Sequence, residues 1–137
     1  MPPLRVVVDP NVLVSVLIGK RLAPLKTLFF DPSFTVILDH TLLSEFDEMA
    51  RRSKFRKYFP ATIVDLIVEQ LHEGGEVREP PRTIPSICRD PDDDYLLALS
   101  KSAKADILLT GDADLLVLGS YARTRIMNAR SFVEEYL

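Results

Sequence analysis

The strongest constraint on this chain is a repeated local pattern in which a short apolar run stops near an aspartate and leads into helix-forming sequence. Leu4-Arg5-Val6-Val7-Val8 ends at Asp9, Phe34-Thr35-Val36-Ile37-Leu38 ends at Asp39, and Ile107-Leu108-Leu109 is followed by Thr110-Gly111-Asp112. Strands this uniformly apolar have no polar face to offer water, so they suit a parallel sheet covered on both sides. The acids then stand at the carboxyl ends of strands, where open α/β sheets bind their ligands. Local sequence supports a second reading of Asp9 equally well, as the N-cap of a helix beginning at Pro10, since proline fits the first helical position.

The intervening segments read as helices. Asn11 to Ile18 is apolar nearly all round and stops at Gly19, and Leu22 to Phe30 predicts a second short buried helix. Thr41 to Ala50 carries Leu42, Leu43, Phe46, Met49 and Ala50 on one stripe, with Glu45 at its border and Asp47 and Glu48 on a solvated flank. Pro60 to His72 is amphipathic through Ile63, Leu66, Ile67, Val68 and Leu71, and Gly74-Gly75 closes it. Glu76 to Cys88, with Pro80, Pro81 and Pro85, predicts an extended connection that opens with a short strand and is the best candidate for a mobile loop. Asp90 to Ala103 predicts a helix, Ile107 to Leu109 a strand, Asp112 to Leu118 a helical turn, Thr124 to Met127 a strand and Ala129 to Leu137 a final helix. This alternation predicts one three-layer α/β/α domain over residues 1–137, built on a central parallel sheet of four to five strands. A chain of 137 residues can bury the core such a domain needs.

Composition narrows the function classes. With 47% hydrophobic and 27% charged residues, and no apolar run near the roughly 18 to 20 residues of a membrane span, the chain reads as soluble and not membrane-bound. The stretch after Met1 is too short and too soon acidic for a secretory signal, which predicts a cytoplasmic location. Cys88 is the single cysteine and reads as a small hydrophobe, while His40 and His72 lack ligand-spaced companions and read as surface or cap residues. A formal charge of −3 provides no basic field for duplex binding, yet neutralising four acids with bound cations would bring it to +1, so a nucleic-acid substrate stays open. One segment departs from the average. Arg51, Arg52, Lys54, Arg56 and Lys57 interleave with Phe55 and Tyr58, a pattern that can follow a phosphate backbone and stack bases, or form a solvated face.

Asp90, Asp92, Asp93 and Asp94 crowd four carboxylates into five residues at the mouth of an apolar helix. Their mutual repulsion calls for a cation, helix amides or water. Asp9, Glu45, one member of this cluster and Asp112 all fall where a parallel sheet brings them to one edge. Hard oxygen donors without histidine or cysteine suit Mg²⁺ or Mn²⁺, and the implied chemistry is metal-assisted hydrolysis of a phosphate ester. With Asp90 as N-cap and Pro91 as first helical residue, Asp93 stands above Leu96, Leu97 and Ser100, Asp92 above Leu96 and Leu99, and Asp94 above a stripe that reaches Lys101. The stripes alone leave Asp92 and Asp93 open.

Four motifs in order, Val7-Val8-Asp9-Pro10-Asn11-Val12-Leu13-Val14-Ser15, Leu43-Ser44-Glu45-Phe46, Asp90-Pro91-x-Asp93-x-x-Leu96-Leu97-Ala98 and Leu109-Thr110-Gly111-Asp112-x-Asp114-Leu115-Leu116, give the chain its resemblance to the PIN-domain ribonucleases, in particular the VapC-like toxins. The resemblance spans essentially the whole chain and implies a PIN-like fold. The family's spacing selects Asp93, leaving Asp90 and Asp92 as cap and dipole partners and Asp94 as the fallback ligand. It implies that Asp9, Glu45, Asp93 and Asp112 hold one or two Mg²⁺ or Mn²⁺ ions, with Asn11 and Thr110 orienting them and Asp114 as an outer ligand. The implied substrate is single-stranded RNA, cleaved to a 5′-phosphate and a 3′-hydroxyl, and the implied partners are a cognate antitoxin and a second copy in a homodimer. Pro10 departs from the family's usual Thr or Ser and removes a hydroxyl and an amide beside Asp9, which sets up an alternative: a PIN-like protein of weak or no turnover that acts through RNA or protein contacts. A phosphatase with an aspartate nucleophile after the first strand is a further rival, but Asp9-Pro10-Asn11 lacks the second aspartate two residues on.

Overall fold

The computed structural model describes residues 2–19 and 22–137; Met1, which opens the stretch read for a leader, lies outside them, as do Lys20 and Arg21. Strands β1 (Leu4–Val8), β2 (Phe34–Asp39), β3 (Glu76–Arg78), β4 (Ile107–Leu109), β5 (Ser120–Tyr121) and β6 (Thr124–Met127) alternate with helices α1 (Pro10–Ile18), α2 (His40–Ala50), α3 (Ala61–Gly74), α4 (Asp94–Ser102), α5 (Ala113–Leu116) and α6 (Ala129–Tyr136). The strands form one sheet in the order β3-β2-β1-β4-β6-β5, parallel except for β5 against β6. Helices cover both sides, as the continuous apolar strands require. Val6, Val7, Ile37, Leu38, Leu108 and Phe132 lie at the centre of the resulting core, each essentially closed to solvent.

The strand order turns at β1. From there the chain adds β2 and β3 on one side and then returns to place β4 on the other. This is the switch point at which α/β sheets open a crevice beyond the carboxyl ends of their strands. The β1–β4 register, Val8 opposite Leu109, sets Asp9 beside the segment that leads to Asp112, and the Asp9 amide donates to the Leu109 carbonyl at 2.9 Å. At the other end of β1, Arg5 donates to both carboxylate oxygens of Glu76, at 3.0 and 2.6 Å, and to the Ala103 carbonyl at 3.0 Å.

Three local expectations are corrected, and one edge strand is added. The parallel part of the sheet has the expected five strands, and Ser120–Tyr121 adds a sixth that turns back antiparallel on β6; two residues are too few to show a period. Leu22 to Phe30 is not an α-helix but a run of 3-10 turns over Ala23–Phe29, and residues 91–93 likewise form a 3-10 turn, so that α4 starts at Asp94. Because a 3-10 turn takes three residues where an α-turn takes 3.6, the stripe drawn through the cluster shifts. Asp94, not Asp93, becomes the most buried of the four acids, at 2% exposure. Finally, α3 buries Val64 and Leu71 while Ile63 and Leu66 face outward, at 39% and 54% exposure. No helix among the described residues is long and apolar enough to cross a membrane.

Candidate metal centre

Asp9 follows the last residue of β1 and caps α1, so it stands at the strand's carboxyl end and serves as the helix cap at once. Its Oδ1 accepts the Asn11 amide at 3.0 Å, and its Oδ2 accepts the Thr110 hydroxyl at 2.8 Å. Thr110 in turn accepts the Asp112 amide at 3.0 Å, which orients its hydroxyl proton toward Asp9. Asp9 is 5% exposed, and burial pushes its carboxyl above the usual range; the Asn11 amide and Thr110 hydroxyl oppose that rise, and the Asp112 charge adds to it. Pro10 occupies the first position of α1 without leaving Asp9 short of donors, because Asn11 and Thr110 supply them.

Asp93, Asp112 and Asp114 each place a carboxylate oxygen within 4.8 Å of the other two. Asp112 caps α5 through the Asp114 amide at 2.8 Å, which brings those two acids onto one turn. Asp93 arrives from the 3-10 turn before α4. Its Oδ2 is buried with no hydrogen-bond partner, and its carboxyl is pushed up to about 7 by burial and by Asp112 alongside, with Asp90 and Asp9 adding repulsion. A carboxylate oxygen enclosed beside two more carboxylates and left unpaired is unfavourable for the protein alone and suited to a hard divalent cation. Asp93 and Asp112, two of the four acids the sequence implies, thus meet in the described residues with Asp114 rather than with Asp9 or Glu45, in a donor set compatible with a divalent ion.

Glu45 stands on α2 and accepts the Tyr95 hydroxyl of α4 at 2.7 Å. Burial raises its carboxyl, the Tyr95 bond opposes this, and the charges of Asp9 and Asp92 raise it further, which puts Glu45 within electrostatic reach of the other acids. Burial, and then Glu45, hold the Tyr95 phenol far above its ordinary value, so it stays a donor. Asn11 is exposed and lines a cleft of about 750 Å³ together with Asp9, Thr110, Asp112 and Arg130. Asp94 is turned elsewhere: its Oδ1 accepts the Cys88 and Ile87 amides at 2.8 and 3.3 Å. Burial works to raise its carboxyl, but these amides outweigh it and keep Asp94 below the usual value, as the anchor of the loop that precedes the cluster. Cys88 itself has its thiol pushed up to about 12 by burial and then by Asp94, which rules out a nucleophilic thiolate at neutral pH.

Sequence reasoning gave no role to Tyr95 or Arg89, and named Asp39 only as a strand-end acid. Tyr95 was hidden because its partner lies 50 residues away. Asp39, 1% exposed, caps α2 through the Leu42 amide at 2.8 Å and leaves Oδ2 buried without a partner; the repeated strand-then-aspartate pattern was the available signal. Arg89, 87% exposed at its side chain, reaches Asp114 at 3.2 Å across the rim. His40 and His72, read as isolated, bring their rings to 6.0 Å on the surface.

Fold, switch-point crevice and acidic centre together define the class. Residues 5–114 match the PIN domain family, and the chain belongs to it; PIN domains are generally nucleases, and those nucleases typically use a divalent metal. Among similar proteins, the uncharacterised protein MJ1680 of Methanocaldococcus jannaschii is 28% identical over 143 residues, covering 97% of this chain and 92% of its own length. The fold also matches the crystal structure of PAE2754 from Pyrobaculum aerophilum with a TM-score of 0.58 at 11% identity, covering 98% of this chain and 95% of that one. The structure of the PIN domain of human SMG5 matches with a TM-score of 0.51 at 16% identity, covering 97% and 99%.

Proposed function

We propose that this protein is a metal-dependent endoribonuclease that hydrolyses phosphodiester bonds in single-stranded RNA. The observation that supports it most directly is the unpartnered, buried Oδ2 of Asp93 beside Asp112 and Asp114. In this reading Asp93 and Asp112 hold Mg²⁺ or Mn²⁺ together with Asp9 and Glu45, and Asp114 joins as an outer ligand. When bound, the divalent ion supplies Lewis acidity toward the phosphodiester and makes water a better nucleophile.

The chain's own residues perform the positioning. Thr110 and the Asn11 amide fix the Asp9 carboxylate in one orientation, and Tyr95 does the same for Glu45. Carboxylates held in this way lose less freedom on binding a cation or an ordered water than mobile ones do. The exposed Asn11 lines the same cleft as Asp9 and Asp112.

Incubation of single-stranded RNA with Mn²⁺ or Mg²⁺ tests the assignment. Asp93→Asn and Asp9→Asn are expected to lower cleavage by at least about a hundredfold, the scale on which removing one electrostatic contact acts in a preorganised site. Products should carry a 5′-phosphate and a 3′-hydroxyl, and wild-type rates in both variants would remove the assignment. The reading extends to a toxin held by a cognate antitoxin and to a homodimer. Sedimentation of the protein expressed alone and with its neighbouring gene product tests both. The rival reading is a binding protein without turnover, for which Pro10 is the one departure from the family pattern although Asp9 keeps its donors; calorimetry that detects no divalent-ion binding to the folded protein would support it.

A further inference from the structure

We propose that the segment from Arg51 to Tyr58, with the cleft it borders, is a docking surface for single-stranded RNA outside the acidic centre. The proposal deepens the nuclease reading, because the strand held here is the strand presented to the acids. Five of the chain's 17 basic residues lie in these eight positions, with no acid among them. Every basic side chain of the run is exposed, as is Tyr58 at 46%. Arg51 is committed to Asp47, at 3.0 Å, and to Asp65. Arg52, Lys54, Arg56 and Lys57 have no carboxylate within salt-bridge distance among the described residues, so a net positive charge faces water on an otherwise acidic protein.

The aromatic side chains complete the pattern. Lys54 sits over the Phe55 ring at 5.0 Å and Lys57 over the Tyr58 ring at 4.9 Å, which pairs each ring with a cation. Arg51 and Arg56 line a cleft of about 340 Å³ whose other walls are Phe59, Pro60 and Ala61. The Arg56 guanidinium, free of carboxylate partners among the described residues, beside the apolar Phe59, Pro60 and Ala61 can receive a phosphate and an unpaired base together, whereas a duplex keeps its bases stacked and out of reach. The segment follows directly on α2, whose last residue, Ala50, stands five residues after Glu45, roughly 8 Å along the helix.

Fluorescence anisotropy with a labelled single-stranded RNA, in EDTA so that no metal-dependent cleavage occurs, tests the surface independently of catalysis. Replacing Arg52, Lys54, Arg56 and Lys57 by Gln is expected to abolish most of the binding and to flatten the plot of log affinity against log salt by about 0.7 for each phosphate that the variant no longer neutralises. Tyr58→Ala should weaken binding roughly tenfold with little change in that slope. All five positions are exposed or at the surface, so thermal melting should match wild type. Unchanged RNA affinity and salt slope in the four-Gln variant would overturn the proposal, as would equal affinity of the wild type for double-stranded RNA, or loss in the variant of a protein partner alone. Loss of binding in the variants from a wild-type protein that cleaves no RNA with Mn²⁺ would uphold the docking surface and defeat the nuclease reading.

Discussion

Asp93 carries the sharpest consequence at the scale of single residues. In the folded protein without metal its carboxyl titrates near 7, while in an unfolded chain it returns toward 3.8. Below the lower value both states are protonated and Asp93 contributes nothing. Between the two values the unfolded state is the more ionised, so stability falls as pH rises, and above the upper value the whole loss is present. Asp9 and Glu45 are shifted in the same direction by burial and reinforce the trend. Asp93→Asn is therefore expected to stabilise the metal-free protein at pH 8, on the order of 1 kcal/mol once solvent screening is allowed for, with little effect at pH 4. Thermal denaturation in EDTA across that range checks it; a variant whose pH dependence matches wild type would show that Asp93 is not the strained group.

At the scale of elements, the hydrogen bond from Tyr95 to Glu45 ties α4 to α2 across the mouth of the sheet. Tyr95→Phe should cost about 1 kcal/mol of stability, the ordinary worth of such a bond, and lower Mn²⁺-dependent cleavage about tenfold by freeing the Glu45 carboxylate. Single-turnover rates beside a urea melt separate the two effects. A second element-scale prediction concerns glycines. A Cβ at Gly75, where α3 turns into β3, would lie 2.6 Å from Leu38 Cδ1 and 3.0 and 3.1 Å from the carbonyl oxygens of Leu71 and Val36. Gly75→Ala should therefore cost about 1 to 3 kcal/mol. Gly111 stands within the motif that ends at Asp112, yet a Cβ there would meet nothing within 4 Å, and Gly111→Ala should leave stability within about 0.5 kcal/mol. Paired denaturant melts read both.

At the scale of the whole molecule, the switch in strand order between β1 and β4 collects acids from segments about a hundred residues apart. The folded state thus concentrates negative charge that the unfolded chain disperses, and a cation that binds only the folded state must stabilise it. At a hundred times the dissociation constant the gain is about 2.7 kcal/mol. Addition of Mn²⁺ at pH 8 is expected to raise the melting temperature of the wild type and to do so much less for Asp93→Asn; equal shifts would place the bound ion elsewhere.

Periodicity and strand-end aspartates were enough to read the α/β class and its mostly parallel sheet, because the apolar strands and the caps at Asp9, Asp39 and Asp112 are written within a few residues of one another. The convergence of acids on one edge followed from that topology. Three things were decided only by the folded chain. The phase of the acidic cluster depended on a 3-10 turn at 91–93, whose hydrogen bonding the residues Pro91-Asp92-Asp93 do not distinguish from the first turn of an α-helix. The separation of Asp93 from Asp94 depended on the loop amides of Ile87 and Cys88, which claim Asp94. The partners of Asp9 and Glu45, Thr110 and Tyr95, lie 101 and 50 residues away. Local sequence determined the class and rough extent of the main strands and helices, since caps and hydrophobic period act over one or two turns; the start of α4, the short β5, which carboxylates meet and which is left unpaired were set by contacts between elements that no local pattern encodes.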